Sequence, residues 1–166
     1  MNYVWNMICD RNIYKQKLRT MRKYFIALVA VLASLGCSAA EVEDIPVEAK
    51  ALPAAAQHFL KSHFPNSEIV YALKDVELAD VEYKVALSNG VVIEFDKKGV
   101  WKDIDGHGKA LPESVIPAHV LKSVRQSFPG RVITDISIDR SHYEVKLDNG
   151  LEVEMTSSGR IVEVDD

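Results

Sequence analysis

Cysteine is scarce in this sequence. Its only two cysteines, Cys9 and Cys37, both lie within the first 40 of 166 residues, so residues 41–166 can form no disulfide and must rely on a hydrophobic core. Catalytic motifs are lacking too, because no Gly-x-Ser-x-Gly elbow, phosphate loop or dinucleotide fingerprint occurs. We therefore predict a non-catalytic protein with no cofactor.

A long apolar run is also lacking. The run from Tyr24 to Gly36 follows Arg22-Lys23 and precedes Ser38-Ala39-Ala40. It is too short for a membrane-spanning helix, which needs about 20 apolar residues, but it fits a secretory signal peptide cleaved near Ala40. The alternative is a lipoprotein anchored through Cys37, because the preceding Leu-Gly resembles the end of a lipobox. Residues 1–20 are then an upstream extension.

Basic residues become scarce once the export segment is removed. Residues 41–166 carry 14 Lys and Arg against 23 Asp and Glu, a formal charge of −9. Nucleic acids and anionic membranes attract clustered Lys and Arg. We therefore predict neither a nucleic-acid partner nor a membrane contact, unless Cys37 is lipidated.

The rest of the chain contains an internal repeat, with two copies of one pattern offset by 60 to 64 residues. Two helical patterns begin with Pro53 and Pro117 and end at Phe64-Pro65 and Phe128-Pro129. Proline is tolerated in a first helical turn, and a proline also stops a helix at or before the preceding residue. One face of each helix is apolar: Ala56, Phe59, Leu60 and Phe64 in the first, and Val120, Leu121, Val124 and Phe128 in the second.

After each helix the apolar residues alternate with polar ones, which is the period of a strand. YKVALSNGVVIEF at residues 83–95 matches YEVKLDNGLEVEM at residues 143–155, and Asn-Gly between alternating runs is a strong hairpin signal. Further strands are expected near residues 69–75, 100–104, 132–138 and 160–164. The first copy has about four extra residues around Val76 to Asp80.

Each copy thus reads as one helix followed by four antiparallel strands. About 60 residues are marginal as a separate domain, so we expect the copies to share one core. The predicted fold is α+β, a duplicated α-β-β-β-β repeat with an antiparallel sheet of about eight strands and the helices on one face. We expect repeat boundaries at residues 41–105 and 106–166, with both repeats in one structural unit.

The second face of such a sheet stays open to solvent. For Trp101 two positions are possible: on this face, where an aromatic side chain would anchor an interface, or at the end of the core, where large aromatic side chains usually lie. We predict a protein-binding face from seven residues: Lys84, Glu94, Trp101, Glu144, Lys146, Glu152 and Glu154.

Two patterns resemble metal sites, and neither meets the requirements. His58 and His63 stand five apart on a predicted helix, so their side chains diverge, whereas an i, i+4 pair shares a face. The segment 103–108, DIDGHG, begins like a calcium loop, but His107 stands at the fifth ligand position and Ser114 at the twelfth. We predict no metal site.

The repeated order of Pro-led helix, Phe-Pro, Tyr-x-Val-x-Leu and Asn-Gly resembles the PepSY-like secreted proteins of Bacteroides-type bacteria, whose fold is similar to that of the β-lactamase inhibitor protein. The second copy departs from the first where Met155-Thr156 replaces Phe95-Asp96 and Ile161 replaces Trp101. The resemblance implies a periplasmic or secreted, non-catalytic protein whose open sheet face binds another protein.

Together these observations predict an exported binding module that inhibits or regulates a protein partner in the envelope or outside the cell. The alternative is a periplasmic module that binds a small ligand or a metal. A hydrolase would need a convergent polar pocket, for which the sequence offers no pattern. The sequence predicts neither the partner's identity nor the oligomeric state.

Overall fold

The computed structural model describes residues 44–77 and 80–166. The predicted signal peptide, with its two cysteines, and residues 78 and 79 of the expected insertion lie outside the described residues. The described residues all belong to one compact unit.

The described residues form two α-helices and one nine-stranded antiparallel sheet, in which every strand pairs with its neighbours in sequence. This confirms the predicted α+β repeat, because each helix is followed by four strands. β1 is an additional two-residue strand on β2 that was not predicted. The bounds are α1 Ala54–His63, α2 Ala118–Ser127, β1 Ile45–Pro46, β2 Ile69–Glu77, β3 Asp80–Leu87, β4 Val92–Asp96, β5 Trp101–Asp105, β6 Ile133–Asp139, β7 His142–Leu147, β8 Glu152–Thr156 and β9 Ile161–Asp165.

Proline and phenylalanine define the ends of both helices. Pro53 and Pro117 occupy the N-cap positions, one residue before the first helical turn in which we expected them. Phe64 and Phe128 follow the last turn with φ of −130°, and the N–H of each donates to the carbonyl oxygen four residues earlier. The proline after each Phe prevents the helix from continuing.

The core lies between the helices and one face of the sheet. The predicted helix residues Ala56, Leu60, Val120 and Val124 are buried there in one cluster with alternate strand residues. The centre of the sheet contributes a row of cross-strand neighbours, all with no exposed surface: Val85, Ile93, Ile104, Ile136, Val145 and Val153. Burying each such side chain stabilises the fold by about 1.5–3 kcal/mol. Because the row crosses from β5 to β6, both repeats share one core.

The last hairpin of each repeat contacts the start of its helix through a glycine. Gly99 has φ of +83°, and a Cβ there would lie 2.6 Å from the backbone nitrogen of Ala56. Gly159 has the same φ, and its Cβ would lie 2.9 Å from the carbonyl oxygen of His119. Only glycine combines this conformation with so close an approach.

A β-bulge in the last strand pair of each repeat changes which residues face the core. In the first repeat Ile93 pairs with Ile104 and Glu94 with Asp103, but Phe95 pairs with Trp101. Lys102 is therefore an extra residue, and strict alternation fails at this point. The second repeat has the same shift between Glu154 and Met155.

Candidate functional site

The open face is the side of the sheet away from the helices, and two cross-strand rows of polar residues cross it. The first row runs Lys84, Glu94, Asp103, Ser137, Glu144, Glu154 and Glu163. The second runs Asp105, Asp135, Lys146, Glu152 and Asp165. The six charged residues of the predicted binding face thus all lie in these rows, on one surface.

Trp101 is not on the open face. Because of the bulge, its side chain is on the same side as its partner Phe95, and it is half-buried against the hydrophobic cluster. Of the two positions considered from the sequence, the structure has the one at the edge of the core. The prediction that Trp101 belongs to the binding face was therefore wrong. Strict alternation would place Trp101 on the same face as Asp103, but the extra residue Lys102 turns its side chain to the opposite face.

Each repeat has one lysine that pairs with a glutamate across the β-hairpin, at positions that differ between the repeats. Lys84 Nζ lies 3.0 Å from Glu94 Oε1, and Lys146 Nζ lies 3.4 Å from Glu152 Oε1. The hydrogen bond with Glu94 raises the pKa of Lys84 above its ordinary value. Such exposed pairs stabilise a fold by only about 0–1 kcal/mol each, so they set the charge pattern of the face more than its stability.

Three aspartates meet where the repeats join, and we call them the acidic seam: Asp103 and Asp105 of β5 and Asp135 of β6. Asp105 and Asp135 are direct cross-strand partners, and their carboxyl groups share a hydrogen bond. Asp103 lies directly opposite both Glu94 and Ser137. The seam therefore concentrates negative charge at the centre of the open face.

Two of the three aspartates of the acidic seam hold their protons more tightly than usual. Burial, followed by repulsion from Glu94 and the other two seam aspartates, raises the pKa of Asp103 to about 6. Burial and the shared hydrogen bond with Asp105 raise the pKa of Asp135 to about 6. Burial acts on Asp105 in the same direction, but hydrogen bonds from Asp135 and the His107 backbone outweigh it and lower its pKa. Attraction by Lys84 offsets part of the rise in the pKa of Asp103, and attraction by Lys146 offsets part of the rise in the pKa of Asp135.

The pair Asp105–Asp135 borders a shallow depression of about 370 Å³. Thr134 is buried beside it and donates its hydroxyl to Asp135 Oδ2 at 2.6 Å. The N–H of His107 donates to Asp105 Oδ1 at 2.6 Å, which closes the turn after β5. The DIDGHG segment thus forms a turn anchored by its own aspartate.

His58 and His63 have different surroundings in the structure. His63 stacks on Phe59 with ring centroids 4.5 Å apart, whereas His58 is exposed and lies near Ser62. Within residues 44–77 and 80–166, no group of three or more His, Cys, Asp or Glu is arranged to hold a metal ion. No helix in that part of the chain is long and apolar enough to cross a membrane.

The seam itself was missed from the sequence. Asp105 was considered only as part of a calcium-like loop, Asp103 also as a neighbour of Trp101 on the open face, and Asp135 was not considered. The available signal was the pattern Asp-Ile-Asp at 103–105 and Asp-Ile-Ser at 135–137. The first places an acid on both sides of a core isoleucine and the second on one side, but the pattern gains meaning only once β5 and β6 are known to pair.

Comparison with known proteins gives the family. The family model described as beta-lactamase-inhibitor-like, PepSY-like matches residues 39–90 and again residues 81–163. This chain belongs to the PepSY-like family. The resemblance inferred from the repeated motifs is confirmed, and the double match agrees with the duplicated repeat. The match names no catalytic family. The curated proteins include no match.

Solved structures of Bacteroides proteins share this PepSY-like fold. A periplasmic protein of the DUF2874 family from Bacteroides vulgatus ATCC 8482 is 34% identical, with a TM-score of 0.72 over 77% of this chain and 100% of that one. A Bacteroides thetaiotaomicron protein described as calcium-regulated and periplasmic is 32% identical, with a TM-score of 0.71 over 74% and 97%. A second B. vulgatus protein, described as periplasmic and of unknown function, is 30% identical, with a TM-score of 0.70 over 75% and 100%. These relatives support the predicted periplasmic or secreted location.

Proposed function

We propose that this PepSY-like protein is an exported, non-catalytic binding module whose open face contacts a basic region of a protein partner. The signal-peptide pattern before Ala40 and the periplasmic relatives support export. The two polar rows supply the contact surface, with the acidic seam at its centre. Trp101 has no part in this surface.

The crowding of carboxyl groups at the seam carries the proposal. Glu94 and the three seam aspartates lie on adjacent strands, and the pKa of both Asp103 and Asp135 is raised to about 6. Near neutral pH each of these aspartates is ionised at a cost in free energy. A guanidinium or ammonium group from a partner would relieve that cost, because an opposite charge within a few Å favours the ionised form.

The shape of the open face also favours a protein partner over a small ligand. The depression beside Asp105 and Asp135 is shallow, whereas sites for small molecules enclose most of their ligand. The two polar rows continue across β7 and β8 with Glu144, Glu152 and Glu154. A flat surface that spans several strands suits contact with another protein.

The test is a capture experiment with charge-matched variants. The exported protein is immobilised, and envelope and secreted fractions of the source bacterium are passed over it at pH 7.5. The seam variant Asp103→Asn/Asp135→Asn is compared with Glu68→Gln/Asp166→Asn, which removes two exposed charges elsewhere. Retained proteins are identified, purified and titrated against each variant.

A partner that uses the seam should bind the seam variant at least about tenfold more weakly, since hydrogen bonds to charged groups contribute about 1.5–3 kcal/mol each. The matched control should bind as wild type does. Affinity should also fall as the pH is lowered from 7.5 to 5, because Asp103 and Asp135 become protonated near pH 6. Equal binding by the seam variant, or no retained protein, contradicts the proposal.

Calcium regulation is a second candidate, favoured by the B. thetaiotaomicron relative described as calcium-regulated. The acidic seam is where carboxylate oxygens, the ligands Ca²⁺ prefers, come together. The described residues nevertheless hold no group of three ligands arranged for a metal. If calcium binds here, Ca²⁺ should raise the unfolding temperature of wild type more than Mg²⁺ does, and Asp105→Asn should abolish the difference.

A further inference from the structure

The two repeats differ at the place where the end of the helix meets the first long strand. In the first repeat an open groove of about 450 Å³ lies there, between α1, the short 3-10 turn Ala49–Ala51 and the start of β2. Its floor is apolar and contains Leu60, Phe64, Ile69 and Leu87. Lys50 and Lys61 lie at its rim.

In the second repeat the preceding segment covers the corresponding place. The counterpart of Ile69, 64 residues on, is Ile133, and its carbonyl oxygen accepts a hydrogen bond of 2.9 Å from Leu111 N–H. Leu111 and Val115 are both buried in the core. Glu113, between them, forms an ion pair with Arg125 of α2. The segment therefore contributes two apolar side chains and one carboxylate.

Among the described residues, the first repeat lacks this cover over the groove, although Val47, at the position of Leu111, is partly buried against the core. Its preceding segment bonds further along β2, where the N–H of Val47 donates to the carbonyl oxygen of Ala72 at 2.9 Å. Ala51 stands at the position of Val115 and is exposed, because it is too small to reach the core.

The charge pair is missing as well. Lys61 takes the position of Arg125, but Ala49 takes the position of Glu113. Lys50 is already paired with Glu48 at 2.7 Å, so Lys61 is the rim cation to which a carboxylate would bind.

We propose that this groove binds a peptide segment of a protein partner, one that carries apolar side chains and an acidic residue. The second repeat shows the mode of binding within the same chain: Leu111 and Val115 fill the apolar part, and Glu113 meets the cation on the helix. The groove lies beside α1 and involves no residue of the open face. It is thus a second binding surface, independent of the acidic seam.

The chain's own segment provides the probe. The peptide ALPESVI, residues 110–116 with blocked ends, is titrated to about 1 mM into the exported protein, and methyl NMR signals are followed. We expect the signals of Leu60, Ile69 and Leu87 to shift. Lys61→Glu should weaken binding about fivefold, because it replaces attraction at the rim by repulsion.

Two controls separate groove binding from general charge effects. Lys122→Glu makes the same charge change on α2 and should leave the affinity unchanged. The charge-reversed peptide ALPKSVI has lysine in place of the glutamate. It should bind Lys61→Glu better than it binds wild type. No shift at the highest concentration, shifts confined to the second repeat, or equal affinity of wild type and Lys61→Glu would each overturn the proposal.

Discussion

Replacing Asp103 by asparagine should stabilise the protein at neutral pH. The pKa of Asp103 is raised from 3.8 to about 6, and a shift of that size corresponds to about 3 kcal/mol of cost for the ionised form. Asp103 is only half-buried, so solvent screening reduces this figure, and we expect a gain of about 1 kcal/mol. Asparagine keeps the size of the side chain and removes the charge. For a unit of this length the melting temperature should rise by about 3–6 °C.

The sign of the pH dependence follows from proton binding. The folded state holds the Asp103 proton up to about pH 6, whereas the unfolded chain releases it near pH 4. The ionised side chain therefore reduces stability as the pH rises through this window, and the full reduction is present above it. Asp103→Asn should stabilise at pH 7.5 and have little effect at pH 4.

Urea unfolding at both pH values measures this difference. The proteins compared are wild type, Asp103→Asn and, as a control at an exposed position, Asp166→Asn. The reasoning is refuted if Asp103→Asn has the same effect at pH 7.5 as at pH 4, or if it destabilises the protein at pH 7.5.

Three further changes test the rest of the structure. Gly99→Ala should destabilise by about 2 kcal/mol more than Gly150→Ala, because both residues have positive φ but only the Cβ at 99 meets α1; equal unfolding free energies would contradict this. Trp101→Ala should cost about 2 kcal/mol of stability and leave the affinity for a captured partner unchanged, whereas a folded variant that loses binding would return Trp101 to the interface. Thr134→Val removes a hydroxyl that donates to Asp135 and should raise the pKa of that carboxyl further, which an NMR titration measures; an unchanged pKa would argue against this hydrogen bond.

Much of the fold was predictable because local signals agree with one another in both copies. Pro53 and Pro117 begin the two helices, and each Asn-Gly turn joins two alternating runs. The four extra residues of the first copy lengthen one hairpin, so that β2 and β3 each extend two residues beyond their counterparts β6 and β7. Such features depend on neighbours in sequence, which a single sequence records well.

What could not be predicted depends on pairing across distance. The β-bulge at Lys102 could not be predicted from the spacing of apolar residues, because Val100, Trp101 and Ile104 fit more than one strand register. The two-residue strand β1 is too short to carry a period. The meeting of Asp105 with Asp135 requires β5 and β6 to be neighbours, and they are separated by 27 residues that include a helix.

The acidic seam deserves a functional explanation because nothing in the fold requires it. Elsewhere on the open face a lysine pairs with a glutamate on the neighbouring strand, as in Lys84 with Glu94 and Lys146 with Glu152, although Glu144 and Glu154 also lie opposite each other. At the junction the partners are instead two aspartates, and neither raised carboxyl adds stability at neutral pH. Natural proteins break local rules mainly at functional sites, where activity offsets the loss. Stability alone would favour a neutral seam, so we attribute its charge to the proposed binding of a basic partner.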